Sequence, residues 1–340
     1  MRVAYELTGL ELDAGGSARA ARELRAALEA RGDVELLPIA QPGARGGRLV
    51  RGLGRELTWF PWRLPRRVAR MGADVLHCPL PLAPPVRHAT PTVVAVGDAL
   101  PWEHPEWFTR ANSVHARTLL TRALRRATAV VVPSQHTRER LREAIGVDAL
   151  VTPWGIGPQF SPGARGPGDH LLAVGTFQPR KNLEAAVAAF ERLERDDLRL
   201  VVAGARGWGG EAVLARARRS PAAARIELVG RVSDAQLVEL YRDAACLLFP
   251  SRGEGFGFPP LEAMACGTPV VAARSGSLPE VLGDAAPLVD PEDVDGLAAA
   301  VEGVLADPEP WCARGLARAA EFTWARCAQE TVAVYGSAIA

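Results

Sequence analysis

The chain has 340 residues, of which 48% are hydrophobic and 23% charged, and its formal net charge is +1 at pH 7. These values describe a soluble globular protein of two ordinary domains. No stretch approaches the roughly 20 apolar residues of a membrane span, and Glu6 and Glu11 lie where a signal peptide needs an apolar run. We therefore expect a cytoplasmic protein.

The first half of the chain alternates apolar runs with amphipathic segments, which predicts a doubly wound parallel sheet. Its predicted strands lie near residues 2–8, 34–39, 73–77, 92–96, 128–132 and 149–152. Helices are predicted over 17–31, 110–126 and 135–145, with Ser134 or Gln135 beginning the last of them and Gly146 ending it. We assign residues 1–163 to an N-terminal, acceptor-binding Rossmann-like domain.

Residues 45–70 form a basic segment inside that domain, with eight arginines and one acid, Glu56. Trp59, Phe60 and Trp62 stand between the arginines. One interpretation is a face that meets an anionic acceptor, either a lipid-linked sugar at the inner face of a membrane or a phosphorylated small molecule. The alternative is a solvated basic helix whose aromatic residues face the core.

A proline- and glycine-rich stretch, residues 159–168, has the composition of a linker. A second alternation follows, with strands predicted near 170–176, 198–203, 225–229, 245–249, 268–272 and 286–289. We assign residues 168–320 to a C-terminal, donor-binding Rossmann-like domain. Residues 309–340 are helical by pattern, and a terminal helix over 321–340 is predicted to pack back on the first domain.

The charges of the two halves have opposite signs. Residues 1–165 contain 23 arginines and 15 acids, for a net charge of +8, and the remainder has a net charge of −7. Such a split favours different partners for the two domains. The basic half shows no nucleic-acid-binding module, so we expect no nucleic-acid partner. The cysteines are scattered without metal-ligand spacing, which predicts reduced thiols and no metal: Cys78, Cys246, Cys266, Cys312 and Cys327.

Lys181 is the single lysine among 40 basic residues, and it lies between a predicted strand and a predicted helix. A cation is mildly unfavourable at a helix start unless an anion binds there. Lys181 and the neighbouring Arg180 therefore indicate a phosphate site. The alternative is an ordinary cation at the start of a helix.

Glu254 and Glu262 flank a glycine-rich turn between a predicted strand and a predicted helix. This arrangement is typical of a phosphate held at a helix N-terminus. Carboxylates beside it can accept hydrogen bonds from sugar hydroxyls. The segment therefore predicts a site for a sugar joined to a nucleotide. The alternative for Glu262 is a first-turn acid that complements the helix dipole.

Several motifs now resemble family 4 of the retaining glycosyltransferases, which have two Rossmann-like doubly wound domains facing a cleft, the GT-B fold. Glu254 and Glu262, followed by Ala-Met-Ala-Cys-Gly-Thr-Pro-Val-Val, form one motif, and Val174 to Asn182 match the phosphate loop. Leu228 to Asp234 and Gly276 to Glu280 also match. In the first domain the matches are Gly15-Gly16, Pro133-Ser134 and Pro153 to Gly157.

The resemblance implies transfer of a sugar from a nucleoside diphosphate, with retention at the anomeric carbon and without a metal or other cofactor. Arg180 and Lys181 would neutralise the leaving diphosphate, Glu254 would contact the donor sugar, and Glu262 would hold the ribose. The resemblance implies further donor contacts from Gly15, Gly16, Arg231, Val232, Phe256, Gly257 and Phe258. A front-face mechanism needs no enzymic nucleophile, although Glu254 as a nucleophile stays an alternative.

One position departs from the family pattern, because many relatives carry a His-Asp pair where this chain has Gly97 and Asp98. Asp98 is a candidate for the acceptor site. His104 is a candidate replacement for the missing histidine, or else a surface histidine. His77, at a strand end, is either an acceptor contact or a structural histidine.

Local similarity to bacterial mannosyltransferases of this family favours GDP-mannose as the donor, with UDP-sugars as the alternative. The acceptor is expected to be a carbohydrate, a lipid-linked sugar or an anionic molecule. Two other functions remain open for this fold: a nucleotide-sugar epimerase, and a non-catalytic protein that binds nucleotide sugars, which Gly97 makes conceivable.

Overall fold

The computed structural model describes residues 1–11, 15–42, 55–164 and 168–340. It divides into two compact units. The first contains Met1–Glu106, Arg110–Gly155 and Thr323–Ala340, and the second contains Trp107–Thr109 and Ile156–Phe322. The chain passes from the first unit to the second after Gly155, before the predicted linker.

The first unit contains a six-stranded parallel sheet with strand order β2-β1-β3-β4-β5-β6. Its inner strands are buried on both faces, so they read as continuous apolar runs instead of alternating ones. All six predicted strands of this half are confirmed to within a few residues. The observed bounds are β1 Arg2–Glu6, β2 Glu35–Ile39, β3 Val75–Cys78, β4 Thr92–Ala95, β5 Ala129–Val132 and β6 Leu150–Val151.

The three predicted helices of this half are present. The observed helices are α1 Gly16–Glu29, α2 Leu64–Met71, α3 Leu100–Glu103, α4 Arg110–His115, α5 Thr121–Leu124 and α6 Gln135–Ile145. A π-helical turn, Ala116–Leu120, joins α4 to α5, so the run over 110–124 is continuous. Ser134 caps α6 by accepting from the Thr137 amide at 3.1 Å, and Gly146 ends it with φ of 68°. Further helical turns cover Thr8–Glu11, Arg55–Arg63 and Pro105–Trp107.

The second unit contains another six-stranded parallel sheet, with strand order β12-β11-β10-β7-β8-β9. The predicted strands are again confirmed. They are β7 His170–Val174, β8 Arg199–Ala203, β9 Ile226–Gly230, β10 Ala244–Phe249, β11 Val270–Ala273 and β12 Leu288–Val289. The helices are α7 Leu183–Phe190, α8 Glu211–Arg219, α9 Asp234–Asp243, α10 Phe258–Ala265, α11 Leu278–Leu282, α12 Val294–Ala306 and α13 Glu309–Ala319, with short turns at Pro179–Lys181 and Ala223–Arg225.

The helical pattern over 309–340 is two helices, because a break at 320–323 separates α13 from α14, Trp324–Ile339. Thr323 caps α14 by accepting from the Arg326 amide at 3.2 Å. The helix α14 packs against α1 and against β3, β4 and β5. The final helix of the chain is therefore part of the first unit.

Among the described residues no helix is both long enough and apolar enough to cross a membrane. All five cysteines are free thiols, and Cys312 alone of them is partly exposed.

Candidate functional site

The site develops where the sheet of the second unit reverses its strand order. From β7 the order runs outward through β8 and β9 on one side and through β10, β11 and β12 on the other. Open parallel sheets bind ligands beyond the carboxyl ends of the strands at such a switch point. The loops 175–182 after β7 and 250–257 after β10 therefore occupy the place where a ligand is expected.

Backbone and side-chain bonds join these two loops. The Arg252 amide donates to the Arg180 carbonyl at 2.7 Å, and the Arg252 guanidinium donates to the Pro179 carbonyl at 3.0 Å. The same guanidinium pairs with Glu292 at 2.5 Å. These bonds hold Arg180 and the following Lys181 beside the loop that carries Glu254.

Lys181, Arg180 and Glu254 meet in one cluster, although 73 residues separate Lys181 from Glu254 in the chain. Lys181 Nζ lies 2.5 Å from Glu254 Oε1, and Arg180 Nη1 lies 3.4 Å from Glu254 Oε2. Lys181 Nζ also stands 5.1 Å from the centre of the Phe249 ring. Two cations face one carboxylate here, so the cluster keeps a net charge of +1 for an anionic ligand.

Ser251, which the sequence analysis did not select, completes this cluster. Its hydroxyl donates to Glu254 Oε1 at 2.5 Å, and the residue has no exposed surface. Burial by itself would raise the pKa of Glu254. The charges of Lys181 and Arg180, with the bonds from Lys181 and Ser251, outweigh that effect and hold the pKa below its usual value. Glu254 is therefore an ionised acceptor held by several donors, and a poor proton donor.

Gly276 fixes the position of the Glu254 backbone. A Cβ at Gly276 would lie 2.5 Å from the Glu254 carbonyl oxygen, and its φ of +55° is in the left-handed region. The next residue, Ser277, donates its amide to the Glu254 carbonyl at 3.0 Å and its hydroxyl to the Phe256 carbonyl at 2.9 Å. The Gly276-Ser277 turn thus holds the glycine-rich loop in place through hydrogen bonds to its carbonyl groups.

The helix α10 begins directly after this loop. Gly257 stands at its N-cap with φ of 110°, and no side chain caps the helix. Phe256 and Phe258 are 3% and 9% exposed, and their rings meet edge to face with centroids 5.2 Å apart. The positive end of the α10 dipole therefore lies four residues after Glu254, although Pro259 and Pro260 leave two positions of its first turn without an amide hydrogen.

Glu262 lies on α10 and is 2% exposed. Tyr241, which is fully buried on α9, donates its hydroxyl to Glu262 Oε2 at 3.0 Å. Nothing in the local sequence around Tyr241 connects it with Glu262, so this contact was not predicted. The bond fixes the carboxylate in position, and the ribose contact implied by the family resemblance stays a prediction.

Arg231 and Val232, the predicted base-pocket residues, directly follow β9. Arg231 is exposed and Val232 is half-buried. The structure brings neither of them into contact with the Glu254 cluster. Their predicted role therefore rests on the family resemblance.

Trp208 is a third residue that was not predicted from the sequence. It is 50% exposed in the loop after β8. That loop is bonded to the phosphate loop, because the Phe177 amide donates to the Ala205 carbonyl at 2.9 Å and Phe177 pairs with Arg206 in an isolated bridge. An exposed indole at this place offers a flat surface on which a base or a sugar ring can stack.

In the first unit, the predicted site residues lie at strand ends and at the start of a helix. Gly15 is the N-cap of α1 and Gly16 is its first residue, and both are exposed. Asp98 is half-buried, and its carboxylate accepts from the Leu100 amide at 3.1 Å, so it supports the start of α3. The three residues lie at the strand ends and helix start where an open parallel sheet binds ligands, and their predicted roles stay predictions.

Trp154 and Ser17 occupy the space beside Gly97. A Cβ at Gly97 would lie 3.0 Å from a carbon of the Trp154 ring and 3.0 Å from the Ser17 hydroxyl. A histidine at position 97 would need these neighbours to move. This chain therefore has Gly97 where many relatives have a histidine, and the Trp154 indole lies beside it.

The two histidines considered in the sequence analysis have different surroundings. His104 is 42% exposed and its Nδ1 lies 3.1 Å from Glu106, which confirms a surface histidine. His77 is fully buried, stacked on Tyr5 at 5.1 Å and edge-on to Tyr335 of α14 at 5.5 Å. The prediction of His77 as an acceptor contact was wrong, because its ring is covered by these two tyrosines.

Neither ring nitrogen of His77 has a hydrogen-bond partner among the described residues. Burial lowers its pKa to about 3. The ring is therefore neutral at physiological pH and acts as an aromatic packing group.

Two family descriptions match the chain and together cover most of it. Residues 14–160 match "Glycosyltransferase Family 4", and residues 159–317 match "Glycosyl transferases group 1". Their border falls close to the change of unit after Gly155.

Curated relatives include several bacterial sugar transferases. The chain is 39% identical to the O-antigen chain mannosyltransferase B of Escherichia coli over 173 residues, which are 49% of this chain and 45% of that protein. It is 46% identical to the MMP alpha-(1->4)-mannosyltransferase of Mycolicibacterium hassiacum, over 32% of this chain and 28% of the relative. With the glycogen synthase of Mycobacterium tuberculosis it is 29% identical over 86% of this chain and 72% of that enzyme. The chain thus matches less than half the length of both mannosyltransferases.

Solved structures share the fold over the full chain. A sucrose-phosphate synthase from Thermosynechococcus elongatus superimposes with a TM-score of 0.84 at 21% identity, covering 99% of this chain and 98% of the other. HepE from Anabaena, solved with UDP and glucose, superimposes with a TM-score of 0.75 at 18% identity, covering 99% and 100%. The two Rossmann-like sheets, the ordered motifs and the family matches agree, and the chain belongs to the family 4 glycosyltransferases of GT-B fold.

Proposed function

We propose that this protein transfers a sugar, with retention at the anomeric carbon, from a nucleoside diphosphate to a carbohydrate, lipid-linked or anionic acceptor. The cluster of Lys181, Arg180 and Glu254 beside the start of α10 carries this proposal. When the nucleoside diphosphate leaves, negative charge grows on its phosphate oxygens. Two fixed cations and the positive end of a helix dipole stabilise such charge.

The donor sugar contacts Glu254 in this proposal. Its carboxylate is ionised and is held by Lys181, Arg180 and Ser251. An acceptor held in this way is suited to orient a sugar hydroxyl. A nucleophile would have to leave these donors before it could attack the anomeric carbon.

The reaction proceeds on one face of the sugar. The bond from the anomeric carbon to the diphosphate oxygen breaks, and the acceptor oxygen forms its bond on the same side. The leaving phosphate oxygen takes the acceptor's proton, so no enzymic nucleophile and no metal take part. Lys181 and Arg180 supply the positive charge at the phosphate.

The donor is GDP-mannose in this proposal, because two of the relatives are named mannosyltransferases. A UDP-sugar is the alternative donor, because the Anabaena neighbour was solved with UDP and glucose. Glu262 then holds the ribose, and Arg231 and Val232 line the base.

Calorimetric titration with GDP, GMP, UDP and ADP, in EDTA and then with magnesium, tests the donor site. We expect GDP to bind most tightly, equally well in both buffers, and GMP to bind far more weakly, because the cations hold the second phosphate. Equal binding of GMP and GDP, or binding that needs magnesium, would contradict the proposed diphosphate site.

Product analysis tests the reaction itself. Incubation with GDP-mannose and a panel of mannose-ended acceptors should release GDP and form a new α-linkage, which proton NMR identifies from its anomeric signal. A β-linkage would refute retention. Tight GDP binding without transfer to any acceptor on the panel, and without turnover of the donor, would favour a non-catalytic binding protein.

A further inference from the structure

The helical run over 55–71 in the first unit has one face in the core. It is π-helical over Arg55–Arg63 and continues without a break into α2. Trp59, Phe60, Leu64 and Val68 are at most 2% exposed and belong to the hydrophobic core with Leu76 and Val94. The spacing of four between Phe60, Leu64 and Val68 places these side chains on the inner side.

The opposite side of the same run carries apolar residues into solvent. Leu57 is 65% exposed and Trp62 is 55% exposed. In a π-helix, backbone hydrogen bonds join residues five apart, so Leu57 and Trp62 lie about one turn apart on the same side of the run. Trp59 and Phe60 face the core, as expected of a basic helix whose aromatic residues face the core. Trp62 is exposed to solvent instead.

Four arginines continue this outer face: Arg63, Arg66, Arg67 and Arg70, all exposed. None of their guanidinium groups has a hydrogen bond or an ion pair with any residue that the structure describes. No acid occurs between Glu56 and Asp74 in the sequence. Several exposed arginines elsewhere are paired, as Arg138 is with Asp148 at 2.9 Å and Arg199 with Asp169 at 2.8 Å.

We propose that this outer face, formed by Leu57, Trp62, Arg63, Arg66, Arg67 and Arg70, docks the first unit on an anionic lipid membrane. Trp62 and Leu57 would enter the interface between headgroups and acyl chains, where tryptophan is favoured. The guanidinium groups would contact lipid phosphates, and their aliphatic stems would cover apolar surface.

The combination of chemistries favours a membrane over a soluble anion. A soluble phosphate needs charge and hydrogen-bond donors but no exposed indole or leucine beside them. A bilayer surface offers both negative charge and an apolar layer beneath it. The face belongs to the first unit alone, and its binding requires no turnover, so it can be tested independently of the proposed sugar transfer.

Vesicle co-sedimentation tests this proposal with the full chain. One set of vesicles contains phosphatidylcholine alone, and the other contains equal parts of phosphatidylcholine and phosphatidylglycerol. We expect binding to the anionic vesicles at low salt, weaker binding at higher salt, and none to phosphatidylcholine. Absence of binding to anionic vesicles at low salt would overturn the proposal.

Two variants and one matched control locate the contact. The double variant Arg66→Glu/Arg70→Glu should lower the partition coefficient at least about 10-fold, because each arginine near an anionic surface contributes to binding. Trp62→Ala should lower it roughly 10-fold through lost apolar burial. The control Arg218→Glu/Arg219→Glu reverses an exposed basic pair on α8 and should retain wild-type binding.

All variants are first compared by circular dichroism and thermal melting. The substituted side chains are exposed, so the core contacts of Trp59 and Phe60 stay in place. Equal losses in the test pair and in the control pair would overturn the assignment to this face. So would a Trp62→Ala variant with wild-type binding combined with displacement of the vesicles by millimolar inorganic phosphate, because these results indicate a soluble anion site.

Discussion

Each sheet reverses its strand order beside its first strand, β1 in the first unit and β7 in the second, but the two switch points differ in chemistry. In the second unit, strands β7 and β10 end in loops that bring Lys181 and Arg180 to Glu254, with net positive charge. In the first unit, β1 ends at Glu6, which is 2% exposed. Glu6 accepts from the Thr8 hydroxyl and amide and from the Trp59 indole.

Burial raises the pKa of Glu6, whereas the neighbouring cations lower the pKa of Glu254. The switch point of the second unit presents ionised groups that can bind phosphate. At the switch point of the first unit, the carboxylate of Glu6 is buried in the core. The difference shows that a doubly wound sheet supplies the position of a site, while the loop residues decide its chemistry.

The charged switch point is tested most severely by Lys181→Ala. We expect turnover to fall about 10²- to 10³-fold, as when one donor to developing charge is removed. Affinity for the nucleoside diphosphate should fall roughly 10- to 100-fold, because a hydrogen bond between charged groups is lost. Kinetics and calorimetry measure both.

The matched control is Arg199→Ala, which removes an exposed arginine from the start of β8, away from the carboxyl ends of the strands. It should retain wild-type turnover and affinity. If Lys181→Ala behaves like this control while melting normally, the phosphate site does not lie at this switch point.

The closed side of the comparison is tested by the pH dependence of stability. The pKa of His77 is lowered from 6.5 to about 3, so between these values the unfolded chain binds a proton that the folded chain excludes. Stability should therefore fall as the pH falls through this window, by up to ~1.4 kcal/mol per pH unit from this residue. His77→Phe should make the decline less steep between about pH 6.5 and pH 5.

Urea unfolding at several pH values measures that slope. Val75→Ala, two residues earlier on the same face of β3, loses packing but no titrating group, and should keep the wild-type slope. An unchanged slope in His77→Phe would mean that His77 binds a proton as readily in the folded protein as in the unfolded chain.

The space beside Gly97 is tested by restoring the family's histidine. Gly97→His should destabilise the protein by about 1–3 kcal/mol, because its Cβ meets the Trp154 ring and the Ser17 hydroxyl. Adding Trp154→Ala should recover part of that loss. Urea unfolding of both single variants and the double variant measures the coupling, and full additivity would show that Trp154 does not compete for this space.

The smallest expected effect separates the roles of the two glutamates. Glu254→Gln should lower affinity for the nucleotide sugar roughly 10-fold more than affinity for the nucleotide alone, because it removes a charged acceptor for a sugar hydroxyl. Glu262→Gln should weaken both ligands equally, as expected of a ribose contact. Paired titrations measure the ratio, and equal ratios in the two variants would remove the proposed sugar contact of Glu254.

The strands and main helices could be predicted because their signals are local. Buried parallel strands read as apolar runs, and Ser134 and Gly146 mark the ends of α6, which was predicted with its observed bounds. Lys181 and Glu254 could be selected for the same reason, since each follows a strand and precedes a helix.

The contacts between distant segments could not be predicted in this way. The bond from Tyr241 to Glu262 and the packing of Trp154 beside Gly97 depend on how whole elements are placed. The exposure of Trp62 also could not be predicted from the sequence, because it depends on a π-helical turn that changes the side of the helix on which each side chain lies. The amino-acid composition predicted a linker at 159–168, whereas the chain passes between the two compact units of the structure after Gly155.

The helix α14 has a consequence for synthesis on the ribosome. It covers Tyr5 and His77 through Tyr335, yet the 167 residues from Ile156 to Phe322 are translated between the first sheet and this helix. The second unit can fold as soon as it emerges, while the first must wait with an apolar face uncovered until α14 leaves the exit tunnel. The unit that is made first is thus completed only after the second has been made, and its apolar face stays open to solvent for that interval.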